Sequence, residues 1–221
     1  MPITKEEFKR RMGVFVQREK FDKEKSKQLV AVGNLNKHVE KAVIARELLS
    51  LVRKVELATS RAGSGEYTEA NSLLGEVANE CTAAKGIADA SHDAHKKLAS
   101  WGRAPLRGLK AHKFASAIRD FIQPIENKLG QAETAFGTRN WADVQRLSGE
   151  IYWACDTAKS KIEEQAYAVA RPEADNLIDD LEQHAQKDLI QTEITAAKDK
   201  RTEAARQAGL AAWAKALALI L

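Results

Sequence analysis

The sequence predicts an all-α protein, an elongated bundle or short stack of long antiparallel helical hairpins holding two diverged copies of a repeat of ~74 residues. Three observations predict it. The apolar residues are weighted toward Ala, aromatics make up only 6%, and Val-Thr-Ile clusters of the kind strands prefer are few. Apolar positions step along the chain by four and three, the spacing of a helical seam. Glycine, proline and capping residues fall at the ends of these periodic runs.

Thr4 with Glu7 forms a capping-box pattern and opens a first helix, expected to run to Val32, where Gly33-Asn34 interrupts it. A second helix is expected from Asn36 to Arg61, ending at Gly63-Ser64-Gly65, and a third from Tyr67 to Ala99. The segment from Trp101 to Pro105 reads as a breaker, with Pro105 starting a fourth helix that ends at Gly137. Pro124 should kink or split that helix. Asn140 caps a fifth helix from Trp141 to Val169. Pro172 then starts a sixth, which continues far into a stretch almost free of breakers. These elements divide the chain into a basic N-terminal helix (1–35), a first hairpin repeat (36–100), a second (101–170) and a long C-terminal helix with an apolar end (171–221).

The repeat emerges when the chain is slid against itself by 74 residues. Residues 44–88 then fall on 118–162 without a gap, and ten of the 45 aligned positions are identical, among them Ile44/Ile118, Ala58/Ala132, Gly63/Gly137, Cys81/Cys155 and Lys85/Lys159. The seams match in phase. Ile44, Leu48, Leu51, Val55, Ala58 and Ala62 precede the first turn, and Ile118, Ile122, Ile125, Leu129, Ala132 and Phe136 precede the second. Ala70, Leu74, Val77, Cys81, Ala84 and Ala88 follow the first turn. Val144, Ser148, Ile151, Cys155, Ala158 and Ile162 follow the second. Each copy therefore reads as a hairpin, with Gly63 or Gly137 as a left-handed cap and Tyr67 or Trp141 covering the turn.

The net charge is +4, and it is unevenly spread. Met1 to Lys54 carries 14 Lys/Arg against 7 Asp/Glu, and the stretch from Lys96 to Arg119 holds no acid. From Glu163 to Lys200 acids outnumber bases. The charged opening residues lack the apolar core of a signal peptide, so export by that route is not expected. The most apolar stretch, Gly209 to Leu221, falls short of the roughly 20 residues of a membrane span, and two cysteines are too few for a disulfide framework. A cytoplasmic protein is expected.

No catalytic constellation stands out, and neither enzyme activity, a metal nor a cofactor is expected. His92 and His95 lie three apart and would need Glu80 or another carboxylate to hold a divalent ion, so they read as solvated. Cys81 and Cys155 read as small packing residues. Gly63-Ser64-Gly65 lacks the strand and the Gly-Lys-Ser/Thr of a phosphate loop.

The expected function is a non-enzymatic helical interaction or assembly scaffold that binds other proteins or self-associates, one version being a component of a larger secretion- or phage-associated assembly. Its candidate contact residues are Trp101, Arg103, Arg107, Lys110 and Lys113, then Trp153, and Trp213, Leu217 and Ile220 in the apolar C-terminus. The alternative is a nucleic-acid-binding module using basic residues 96–119, with phosphates on the cations and an aromatic against a base.

Overall fold

The computed structural model describes residues 4–221, and the described residues form helices joined by turns, without a strand. Eight α-helices follow one another: α1 Lys5–Asn36, α2 Ala45–Gly63, α3 Tyr67–Lys97, α4 Ala104–Lys110, α5 Arg119–Gly137, α6 Trp141–Gln183, α7 Gln191–Gly209 and α8 Trp213–Ile220. A π-helical turn, Leu98–Arg103, joins α3 to α4, and 3-10 turns at Ala115–Ile118 and Lys187–Ile190 precede α5 and α7. The chain forms two compact units, Met1–His95 and Lys96–Leu221.

In the first unit, α1, α2 and α3 enclose two apolar clusters. One joins Val32 and Leu35 to Ile44, Leu51 and Val55 and to Val77, Cys81, Ala84 and Ala88. The other joins Phe21 to Ala58, Ala62, Ala70 and Leu74, with Tyr67 edge-on to Phe21 at a centroid distance of 6.2 Å. Burying such side chains contributes about 0.8 kcal/mol per methylene.

In the second unit α6 is the central helix, packed against α4, α5, α7 and α8. The smaller C-terminal cluster joins Tyr167 of α6 to Ala204 and Ala216, with Trp213, Leu219 and Ile220 against it. Buried Gly102 lets the π turn approach its neighbours closely, since a Cβ there would sit 3.3 Å from Leu98 and 3.4 Å from Leu129.

Several boundaries differ from expectation, each for a local reason. α1 runs through Gly33 to Asn36 because Val32 and Leu35 are both buried and keep it packed. The second helix begins at Ala45 rather than Asn36. The span between is a turn in which His38 Nδ1 accepts the Glu40 N–H at 3.1 Å. The expected breaker at Trp101 to Pro105 instead stays helical, with Pro105 in the first turn of α4, where its missing N–H costs nothing.

The split expected at Pro124 comes earlier, at residues 111–118, and α5 continues through the proline. α6 likewise continues through Pro172 for 43 residues. The last fifty residues break twice, at His184 and at Leu210–Ala212.

The left-handed residue of each tight loop is also two places later than expected, at Gly65 (φ 81°), Arg139 (φ 59°) and Ala211 (φ 56°) rather than at Gly63 and Gly137. Each loop closes with the same pair of backbone bonds: Gly65 to Ala62 and Glu66 to Arg61, Arg139 to Phe136 and Asn140 to Ala135, Ala211 to Ala208 and Ala212 to Gln207. This is the Schellman pattern, in which one left-handed residue turns the chain and satisfies the last carbonyls.

Candidate functional site: two matching grooves

Two concave grooves stand out, one in each unit. The first, of about 380 Å³, is lined by residues of α1, the turn after it, and α3: Ala31, Asn34, Leu35 and His38 face Ala78, Cys81, Thr82 and Lys85, with Lys27 and Gln28 beside them. The second, of about 450 Å³, sets Pro105, Gly108, Leu109 and His112 against Tyr152, Cys155, Asp156 and Lys159, with Ile162 and Glu163 beside them. Adding 74 to each of the eight facing residues of the first groove gives the eight facing residues of the second.

The same physical parts recur in both. A leucine and a cysteine form the floor, Leu35 with Cys81 and Leu109 with Cys155, all buried. A histidine stands at the rim with its Nδ1 occupied by a backbone N–H two residues on: Glu40 for His38 at 3.1 Å and Phe114 for His112 at 3.3 Å. That bond leaves Nε2 as the nitrogen free to face outward. His38 uses it to reach Asp89 at 3.3 Å. A lysine closes the other rim, held by an acid four residues on: Lys85 to Asp89 at 2.6 Å and Lys159 to Glu163 at 3.9 Å.

Neither groove presents an ionised cysteine near neutral pH. Burial pushes the Cys81 thiol up, and pushes Cys155 up to about 11, so both are protonated thiols near neutral pH. Lys85 and Asp89 form a rim ion pair that holds the Asp89 carboxyl below its ordinary range. The grooves offer an apolar floor with polar edges.

The other expected residues are placed as follows. Arg103 pairs with Glu133 of α5 at 3.0 Å and Lys110 with Glu126 at 2.5 Å, so acids from α5 face two cations of the acid-free stretch. Lys113 lies over the Phe114 ring at 5.0 Å. Trp101 packs beside Tyr152 at 5.9 Å with Lys97 over its ring. Arg107 points to solvent in α4. Trp153 is 69% exposed and is the most accessible tryptophan of the candidates.

Trp213 packs on Tyr167 at 5.8 Å, and Ile220 joins the same cluster, so α6 covers much of the apolar C-terminus; Leu217 is half-buried. His92 and His95 approach Glu40 rather than Glu80, at 3.8 and 3.3 Å. Glu80 is taken by Lys54. Among the described residues no group of three or more His, Cys, Asp or Glu is arranged to hold a metal ion, and no helix is long and apolar enough to cross a membrane.

Sequence reasoning did not single out the groove residues His38 and His112, although their 74-residue separation was available to find them. No known protein family, curated protein or solved structure matches the chain.

Proposed function

We propose that this chain is a non-enzymatic scaffold of repeated helical hairpins that binds a protein partner through successive equivalent grooves. The single observation that carries the reading is the coincidence of the two groove linings under a shift of 74 residues. Two surfaces of like chemistry at equivalent places suit a partner that presents like apolar side chains more than once.

The repetition itself has wider support. α2 and α5 are each 19 residues long and begin 74 apart. α7 is also 19 residues long and begins 72 after α5, so we extend the two copies read from the sequence to a third. Ala58, Ala132 and Ala204, at equivalent places in these helices, are each fully buried. His184 repeats the histidine cap, its Nδ1 accepting the Gln186 N–H at 3.1 Å. Six residues after each capping histidine stands Ile44, Ile118 or Ile190, the residue that opens the short helix. Lys54 bonds Glu76 at 2.8 Å and Lys128 bonds Glu150 at 2.5 Å, the same pair in successive copies.

The nucleic-acid alternative draws less support, because Arg103 and Lys110 are engaged by α5 carboxylates.

Thr82→Trp and Asp156→Trp test the proposal, since each would fill one groove from an exposed position while leaving every buried floor residue unchanged. A displayed library of helical peptides panned on the full chain supplies the probe. Peptides with spaced apolar residues are expected to bind the wild type, to bind each single variant more weakly, and to lose the double variant. Peptides that bind the double variant as tightly as the wild type would overturn the reading.

A further inference from the structure

The first turns of α1 carry a surface that the grooves do not use. Residues 8–16 are exposed throughout, and they include Phe8 (58% exposed), Met12 (45%), Phe15 (52%) and Val16 (54%). Their spacing of i, i+4, i+7 and i+8 gathers them on one arc of about 100° at 100° per residue. Gln17, which accepts from Asn71 of α3 at 3.0 Å, and buried Phe21 lie on the opposite side of the helix. The apolar arc is thus turned away from the side that packs. Val14 stands apart from it.

Lys9 borders this arc on one side and Arg11 and Arg18 on the other, while Lys5 and Glu19 continue its own line one turn before and one turn after. Arg11 shares Glu7 with Arg10, at 2.8 Å for each nitrogen, and Arg18 lies 3.9 Å from Asp22. Two phenylalanines and a methionine between basic edges, on a single convex helix face, match an interfacial helix that dips into an anionic surface.

We infer that the Phe8–Val16 face of α1 is a peripheral membrane-binding surface that recognises anionic phospholipid. The inference stands apart from the groove reading and uses none of its residues.

Flotation of the full chain with phosphatidylcholine vesicles, with and without phosphatidylserine, tests it. Binding is expected only to the serine-containing vesicles and is expected to fall in high salt. Removing three cations with Lys5→Ala, Lys9→Ala and Arg18→Ala should weaken partitioning about 100-fold. Phe8→Ser with Phe15→Ser should abolish co-flotation at low salt. The groove double variant, Thr82→Trp with Asp156→Trp, should float as the wild type does, which separates failure here from failure of the groove reading.

Absence of co-flotation with anionic vesicles at low salt would overturn the inference. So would equal binding to neutral vesicles, or retention of binding by both α1 variants. A dimer in light scattering that only Phe8→Ser with Phe15→Ser dissolves would assign the face to a second copy, and would overturn it too.

Discussion

At the scale of single residues, the structure departs from the simplest helical seam in a few places whose costs are calculable. Ser148 occupies a fully buried seam position in α6, 74 residues after the fully buried Leu74, and its hydroxyl has no partner. An unsatisfied buried hydroxyl costs about 1–3 kcal/mol, so Ser148→Ala is expected to raise stability by about 1 kcal/mol in urea unfolding. The left-handed loop residues make a matched experiment. Ala211 at φ 56° bears a backbone strain that Gly65 at φ 81° does not. Ala211→Gly should therefore stabilise and Gly65→Ala destabilise, each by about 1 kcal/mol, and a Cβ at position 65 meets no atom within 4 Å to confuse the comparison.

The cysteines give a pH prediction. Cys155 is raised to about 11 by burial, above the ordinary value of about 8.5. Its contribution to stability is complete below the unfolded value and is lost as pH rises through about 11, because the unfolded thiol ionises first. The alkaline fall in melting temperature should be shallower in Cys155→Ala. At pH 8 a thiol reagent should label the native chain far more slowly than the urea-unfolded one.

At the scale of elements, the turns are more regular than the helices they join. Each of the three turns before a short helix is held by one histidine ring nitrogen, at His38, His112 and His184. An asparagine side chain makes the same bond to a backbone N–H two residues on. His184→Asn should therefore hold near wild-type stability, whereas His184→Ala should lose about 1 kcal/mol in chemical unfolding. Inside the short helices the fully buried alanines set how closely the neighbouring helix approaches. Ala132→Leu would overpack that contact, at a cost of about 1–3 kcal/mol by the same measurement.

Much of this level was legible beforehand. The heptad steps located α2, α5 and the starts of α3 and α6, and Asn140 does accept the Asp143 N–H at 3.3 Å as a cap. The histidine turns were not legible, because a ring nitrogen bonded two residues on leaves no periodic trace. The third copy proposed above escaped the sequence for a different reason. The interval from Tyr67 to His112 exceeds that from Trp141 to His184 by two residues and contains the π turn Leu98–Arg103, so a single sliding offset cannot align all three.

At the scale of the whole molecule, the proposed partner-binding role predicts avidity for a peptide that engages both grooves. Linking two weak contacts on one chain can strengthen binding about 100-fold or more, so filling one groove should cost a two-site peptide at least that factor, while a one-site peptide should lose far less. Titration of both peptides against the single variants checks this. The sequence by itself determined the helical class, the apolar seams and the buried place of both cysteines, because those follow from periodicities of a few residues that any folded arrangement must respect. Only the tertiary structure decided that Leu35 and His38 meet Cys81 and Lys85 across a groove, that Glu40 rather than Glu80 receives His92 and His95, and that α5 carboxylates engage Arg103 and Lys110. These meetings join residues 16 to 55 positions apart, and helix packing rather than local spacing brings them within reach.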